Sequence, residues 1–120
     1  MQFQLSQSFV FEAAHSLQRK IDQASSARIH GHSYRATLWL SGEPDPQTGM
    51  VTDLGLIRHA IASVHEKLDH RLLDEVVDLG PATLENLCVY IWQQLAPAFP
   101  QLSRIKVERG LTGDACELSK

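Results

Sequence analysis

The chain has 120 residues, 43% of them hydrophobic, which suits one globular domain with its own core. Eleven Lys and Arg against fourteen Asp and Glu give a formal net charge of −3, and no basic block is present to track a phosphodiester backbone, so a general nucleic-acid binder is excluded. No apolar run approaches the roughly 20 residues of a membrane helix, and the start Met1-Gln2-Phe3-Gln4 has neither the basic nor the apolar region of a secretion signal; a cytoplasmic protein without membrane partners is expected.

From Gln2 to His15 the odd positions Phe3, Leu5, Phe9, Phe11 and Ala13 are mostly apolar and the even positions mostly polar, which predicts a strand with one buried face. From Arg28 to Leu40 the even positions Tyr34, Ala36, Leu38 and Leu40 repeat the pattern, and Ser41-Gly42-Glu43-Pro44-Asp45-Pro46 ends it with turn residues. Leu54, Ile57, Ala60, Ile61, Val64 and Leu68 then recur at helical spacing and place one apolar stripe on a helix. The same spacing returns between Thr83 and Ala96 in Leu84, Leu87, Cys88, Ile91 and Leu95. Thr83 suits the N-cap, Glu85 the positive helix end, and Pro97 closes the helix. Leu102 to Arg109 alternates through Ile105 and Val107, and a turn from Gly110 to Asp114 leads into a short apolar segment around Cys116 and Leu118.

The order strand, strand, helix, helix, strand, strand predicts an α+β domain spanning residues 1–120, with a four-stranded antiparallel sheet and both helices on one face. Long strands joined without crossover helices are not the pattern of a parallel sheet. Cys88 and Cys116 form no C-x-x-C pair, so neither a thiolate metal knuckle nor a redox motif is available, and both read as reduced, packed thiols.

His30 and His32 stand two apart in an extended segment, so their side chains project to one side, and His15 ends the preceding strand. Three imidazoles from neighbouring strands can offer three neutral nitrogens and leave a fourth tetrahedral position open, the arrangement of a catalytic zinc ion. An H-x-H pair also describes two partly buried, hydrogen-bonded histidines, and Gly31 between them has ordinary turn explanations.

Phe11-Glu12-Ala13-Ala14-His15, followed by His30-Gly31-His32-Ser33-Tyr34, resembles the paired zinc-ligand motifs of the 6-pyruvoyl-tetrahydropterin synthase and 6-carboxytetrahydropterin synthase family. Leu68-Asp69-His70, Pro81-Ala82-Thr83-Leu84-Glu85-Asn86-Leu87 and Val107-Glu108 resemble further family motifs in the same order, so the likeness spans nearly the whole chain. It implies the tunnelling fold, in which subunits join their sheets into a barrel as a homo-oligomer, a trimer or a hexamer of stacked trimers, with sites between subunits. It implies a lyase acting on 7,8-dihydroneopterin triphosphate, with Zn2+ held by His15, His30 and His32. Glu108 would accept hydrogen bonds from the pterin's amino group and ring N–H, Thr83 would contact the ring, and Asp69 with His70 would relay protons.

Read without the resemblance, Glu108 is a strand glutamate between Lys106 and Arg109, Asp69-His70 a helix-end pair, and Thr83 a cap; His59 and His65 are assigned to the surface. One departure is plain. The family's catalytic cysteine falls four residues before the first histidine of H-G-H, and here that position is Ser26. A hydroxyl is far less acidic than a thiol, so thiolate chemistry is excluded there. The open alternatives are an engineered Cys-to-Ser variant, a paralogue with altered chemistry, or a chain that binds zinc and pterin without turnover. The branch slightly preferred is that of 6-carboxytetrahydropterin synthase, on the ground of the short chain; the pathway served, queuosine-type deazapurine, folate or biopterin synthesis, stays open.

Overall fold

A computed structural model describes all 120 residues. The elements run β1 Phe3–His15, α1 Gln23–Ala27, β2 His30–Gly42, α2 Leu54–Leu68, β3 Arg71–Leu72, α3 Leu84–Leu95, β4 Leu102–Arg109 and β5 Asp114–Ser119, with a 3-10 turn at Leu73–Glu75. They form one sheet in the order β3-β1-β2-β4-β5.

The long β1–β2 ladder is antiparallel and unbroken from Phe3↔Gly42 to His15↔His30. Because side chains alternate across a strand, this register puts Phe11, Ala13 and His15 of β1 on the same face as Tyr34, Ala36, Leu38 and Leu40 of β2. Ile105 and Val107 of β4 join that face, opposite Leu38 and Ala36.

Both helices cover it. In α2, capped by the Asp53 carboxylate on the Gly55 N–H at 2.8 Å, the buried stripe is Ile57, Ile61, Val64 and Leu68. In α3 the Thr83 hydroxyl accepts from the Asn86 N–H at 3.1 Å, the N-cap expected from sequence, and Leu87, Cys88, Ile91 and Leu95 turn inward. These residues and the strand face form one core of 22 buried side chains, each large aliphatic one stabilising the fold by about 1.5–3 kcal/mol. No helix is long and apolar enough to cross a membrane.

The four-stranded, purely antiparallel sheet expected above needs correction. A fifth strand, β3, pairs parallel to β1 through Ala13↔Arg71 and Ala14↔Leu72. Two residues are too short to display a period of two, and pairing arises because the chain leaving α2 runs along the β1 edge, where the His70 N–H donates to the Glu12 carbonyl at 2.6 Å. The five-residue α1 was also unexpected, since Ala24-Ser25-Ser26-Ala27 carries no apolar period. β2 starts at His30 rather than Arg28 and continues through Gly42, and β5 begins at Asp114, which the sequence reading placed in the turn. Cys88 and Cys116 are both free, and the Cys88 thiol donates to the Cys116 carbonyl at 3.4 Å.

Candidate functional site

At one end of the sheet the Phe11 and Tyr34 rings stack with centroids 4.9 Å apart, and the three histidines stand on the strand ends beyond them. His15 is 1% exposed; His30 and His32 are half-buried. Register alone brings them together, since His15 faces His30 directly and His32 lies opposite Ala13. His15 Nε2 is 3.0 Å from His30 Nε2 and 3.1 Å from His32 Nε2.

Those contacts are not hydrogen bonds. His15 Nδ1 lies 2.8 Å from the Ala82 carbonyl, and His30 Nδ1 2.8 Å from the Arg28 carbonyl. A carbonyl only accepts, so each Nδ1 carries the proton and each Nε2 presents a lone pair. Arg109 Nη1 donates to His32 Nε2 at 3.3 Å, which makes that nitrogen an acceptor too. Three lone pairs therefore converge with no proton between them. Nitrogens about 2.0–2.1 Å from a tetrahedral ion stand about 3.3–3.4 Å apart, close to the spacing found, so the site fits a divalent metal. The ligand atoms all lie within 4.8 Å of one another.

Electrostatics favour the neutral, coordinating form. Burial holds the His15 pKa below its usual value against the opposing pull of the Ala82 carbonyl. Burial, then the Arg109 guanidinium, pushes His32 down to about 4. Burial also pushes the Tyr34 hydroxyl up to about 12, with Arg109 pulling the other way.

A cleft of about 650 Å³ opens beside the cluster, lined by His32, His70, Arg109, Glu12, Ser33 and Thr112 among others. Asp69 Oδ1 accepts from the Glu12 N–H at 2.9 Å, and Oδ2 accepts from His70 Nδ1 at 2.8 Å. The backbone bond from Glu12, then the His70 bond, holds the Asp69 carboxyl below the usual carboxylate range. His70 itself has φ +57, a left-handed conformation uncommon for a non-glycine residue and a mark of constraint. His59 is on the surface as expected. His65 is half-buried, its Nε2 3.8 Å from Asp69 Oδ2, so its surface assignment is corrected to a flank of this pair.

The remaining expected residues are dispersed. Thr83 lines a separate cavity of about 200 Å³ with His15, Tyr34, Glu85 and Arg109. Glu108 projects from the opposite face of the sheet, with Lys106 Nζ 3.9 Å away. Its cavity of about 290 Å³ shares Glu12, Ser33 and Leu111 with the histidine cleft. Ser26 is buried in α1 and its hydroxyl donates to the Gln23 carbonyl at 3.2 Å; it lines neither the cleft nor these two cavities. Arg109 is the site residue the sequence reading missed. Its odd position continues the inward parity of Ile105 and Val107, and a charge where that alternation calls for an apolar residue was the available signal.

The sequence model of 6-pyruvoyl tetrahydropterin synthase matches residues 4–118. The chain belongs to that family. The human 6-pyruvoyl tetrahydrobiopterin synthase is 33% identical over 122 aligned positions, which cover 88% of this chain and 84% of that protein. An Archaeoglobus fulgidus protein assigned to 6-carboxy-5,6,7,8-tetrahydropterin synthase is 31% identical over 97, covering 81% and 79%. The structure of Caenorhabditis elegans 6-pyruvoyl tetrahydropterin synthase superposes with a TM-score of 0.85 at 26% identity, covering 100% of this chain and 96% of that one. This chain, α+β with a mixed five-stranded sheet, thus shares the fold of that structure.

Proposed function

We propose that this chain is a zinc-dependent pterin synthase acting on 7,8-dihydroneopterin triphosphate, of the 6-carboxy-5,6,7,8-tetrahydropterin or 6-pyruvoyl-tetrahydropterin synthase type. The observation that carries the reading is the meeting of three imidazole lone pairs, with His15 Nε2 3.0 Å from that of His30 and 3.1 Å from that of His32 and all ligand atoms within 4.8 Å, on a chain of this family. His15, His30 and His32 hold the ion; bound there, zinc supplies Lewis acidity toward oxygens of the pterin side chain.

The protein's own groups do the rest. Asp69 keeps the His70 proton on Nδ1, leaving Nε2 free to take a proton from the side chain and return it. Glu108 anchors the pterin through two acceptor oxygens facing its amino group and ring N–H. Thr83, in the cavity behind His15, gives a further contact. Asp69, His70 and Glu108 do not all converge on the histidines within one chain, which supports a homo-oligomer, a trimer or a hexamer, with the site completed by a neighbour. An open β1 edge supports it too, since β3 pairs only Ala13 and Ala14 there. We assign the protein to the cytoplasm.

A second reading, a zinc- and pterin-binding paralogue without turnover, is favoured by Ser26: where the resemblance puts a catalytic cysteine there is a buried hydroxyl bonded to a helix carbonyl. Incubating zinc-loaded protein with dihydroneopterin triphosphate and separating the pterins decides between them. A new pterin product that disappears in His32→Ala supports the enzyme. Stoichiometric zinc with bound but unchanged substrate supports the paralogue, and protein that retains no zinc at all rejects both.

A further inference from the structure

Asp69 closes α2, its backbone N–H donating to the His65 carbonyl at 2.8 Å, so the two residues stand one helical turn apart, a spacing at which opposite charges meet. His65 Nε2 lies 3.8 Å from Asp69 Oδ2, the same oxygen that accepts from His70 Nδ1 at 2.8 Å. One carboxylate oxygen thus faces two imidazoles, one from the helix and one from the residue just beyond it.

The carboxylate and His70 are fixed by a single residue of β1. Asp69 Oδ1 accepts from the Glu12 N–H at 2.9 Å, and the His70 N–H donates to the Glu12 carbonyl at 2.6 Å. His65, with its side chain 40% exposed, is too far from Oδ2 for a hydrogen bond, and what it brings to the pair is charge. The other charged groups nearby are engaged elsewhere. Glu12 accepts from the Ser33 hydroxyl at 2.7 Å, Arg71 Nε of β3 donates to the Glu66 carbonyl at 3.3 Å, Lys67 Nζ donates to Gln94 Oε1 of α3 at 2.7 Å, and Arg109 of β4 is held by Asp114. The ion pairs open to Asp69 are those with His65 and His70 alone.

A carboxylate carries one negative charge and can offset one imidazolium, not two. With both rings protonated, two cations face each other across Oδ2, so the pair takes up its protons one at a time. Imidazoles change charge between about pH 5 and 8. As His65 becomes a cation in that range, it uses part of the field that would otherwise stabilise a protonated His70. Above the range His65 is neutral and leaves His70 untouched, so the effect is confined to the acid side.

Resting on the pterin synthase reading above, we propose that His65 is a positioning residue of the Asp69–His70 relay: by sharing the Asp69 carboxylate it keeps His70 neutral, and so able to accept a proton, to lower pH than the Asp69–His70 pair alone would.

Two variants with opposite signs test this. His65→Gln is neutral at every pH and His65→Lys is a permanent cation; both are good helix formers at a partly exposed position, so α2 is retained. Nitrogen-15 shifts of the His70 imidazole, followed from about pH 5 to about pH 8.5, give its titration in each protein, and product formation by the zinc-loaded proteins gives the pH–rate profile. In His65→Gln the His70 titration sharpens and its midpoint moves up by about half a pH unit, with turnover about twofold lower near pH 6 and equal to wild type near pH 8. In His65→Lys the midpoint moves down. Identical His70 titrations in the three proteins, or a loss of turnover in His65→Gln of equal size at every pH, overturn the role of His65 while the pterin reading stands. If the zinc-loaded wild type makes no product at any pH, the relay fails and this proposal with it.

Discussion

Stripping the metal should lower the thermal midpoint by an amount the fold allows one to work out. The three nitrogens meet only because the β1–β2 register places them so, and an unfolded chain, with His15 and His30 fifteen residues apart, offers no such site. A ligand that binds the native state alone stabilises it by about 4 kcal/mol when its free concentration is a thousandfold above Kd. At about 2.1 cal/mol/K per residue, 120 residues give an unfolding entropy of about 0.25 kcal/mol/K, so Tm falls by about 16 °C on going to the chelator-treated protein. The assay is thermal unfolding by circular dichroism in zinc-buffered solution and in excess chelator, run beside His30→Ala and His32→Ala. In the variants the two curves should nearly coincide. A wild-type difference under about 3 °C, or one of equal size in the histidine variants, would place the metal elsewhere and refute the lone-pair argument.

The metal-free protein should lose stability as pH falls from about 6.5 toward about 4, because His15 and His32 have folded-state pKa values below that of an unfolded histidine and the unfolded chain takes up protons first. Urea midpoints across that range check the sign; a midpoint that rises on acidification contradicts it. Asp69→Asn keeps an acceptor for the Glu12 N–H but turns an amide toward His70 Nδ1, which should shift the imidazole proton to Nε2. Nitrogen-15 imidazole shifts should report the exchanged tautomer, with turnover lower by about 100-fold; an unchanged tautomer removes Asp69 from the relay. Ser26→Cys should raise turnover by about 100-fold if the position serves acid–base chemistry, as read by product formation per zinc; identical rates in the two proteins remove the residue from the reaction.

Much of this was legible in the chain, and what was not has identifiable causes. The stripe of α2 fixed its span at Leu54–Leu68, because a period near 3.6 over fifteen residues is hard to mistake. The pairing of His30 with His32 followed from a period of two. Their meeting with His15 did not, since it depends on the register of two long strands. β3 and α1 escaped because two and five residues cover no more than about one period of a strand or a helix, too few for a pattern to repeat. Glu108 shows the limit most clearly. Its adjacency to Arg109 in sequence suggests one site, yet the Ala36↔Val107 pairing sends Glu108 to the face away from the histidines and Arg109 toward them.

The cap of α3 ties local helix chemistry to the metal-binding geometry. Thr83 could be read as a pterin contact or as an N-cap, and the hydroxyl bond to Asn86 establishes the second role without removing the first. That cap fixes the chain at the very start of the helix, where the preceding residue, Ala82, is 2% exposed and directs its carbonyl at His15 Nδ1. The Asn86 side chain donates to the Pro81 carbonyl at 2.7 Å and secures the same turn from the other side. Helix capping thus holds the acceptor that sets the His15 tautomer, and the tautomer decides whether Nε2 presents a lone pair or a proton to its two neighbours. The Pro81-to-Asn86 segment therefore acts on the cluster through one backbone oxygen, whatever contact Thr83 makes with a ligand.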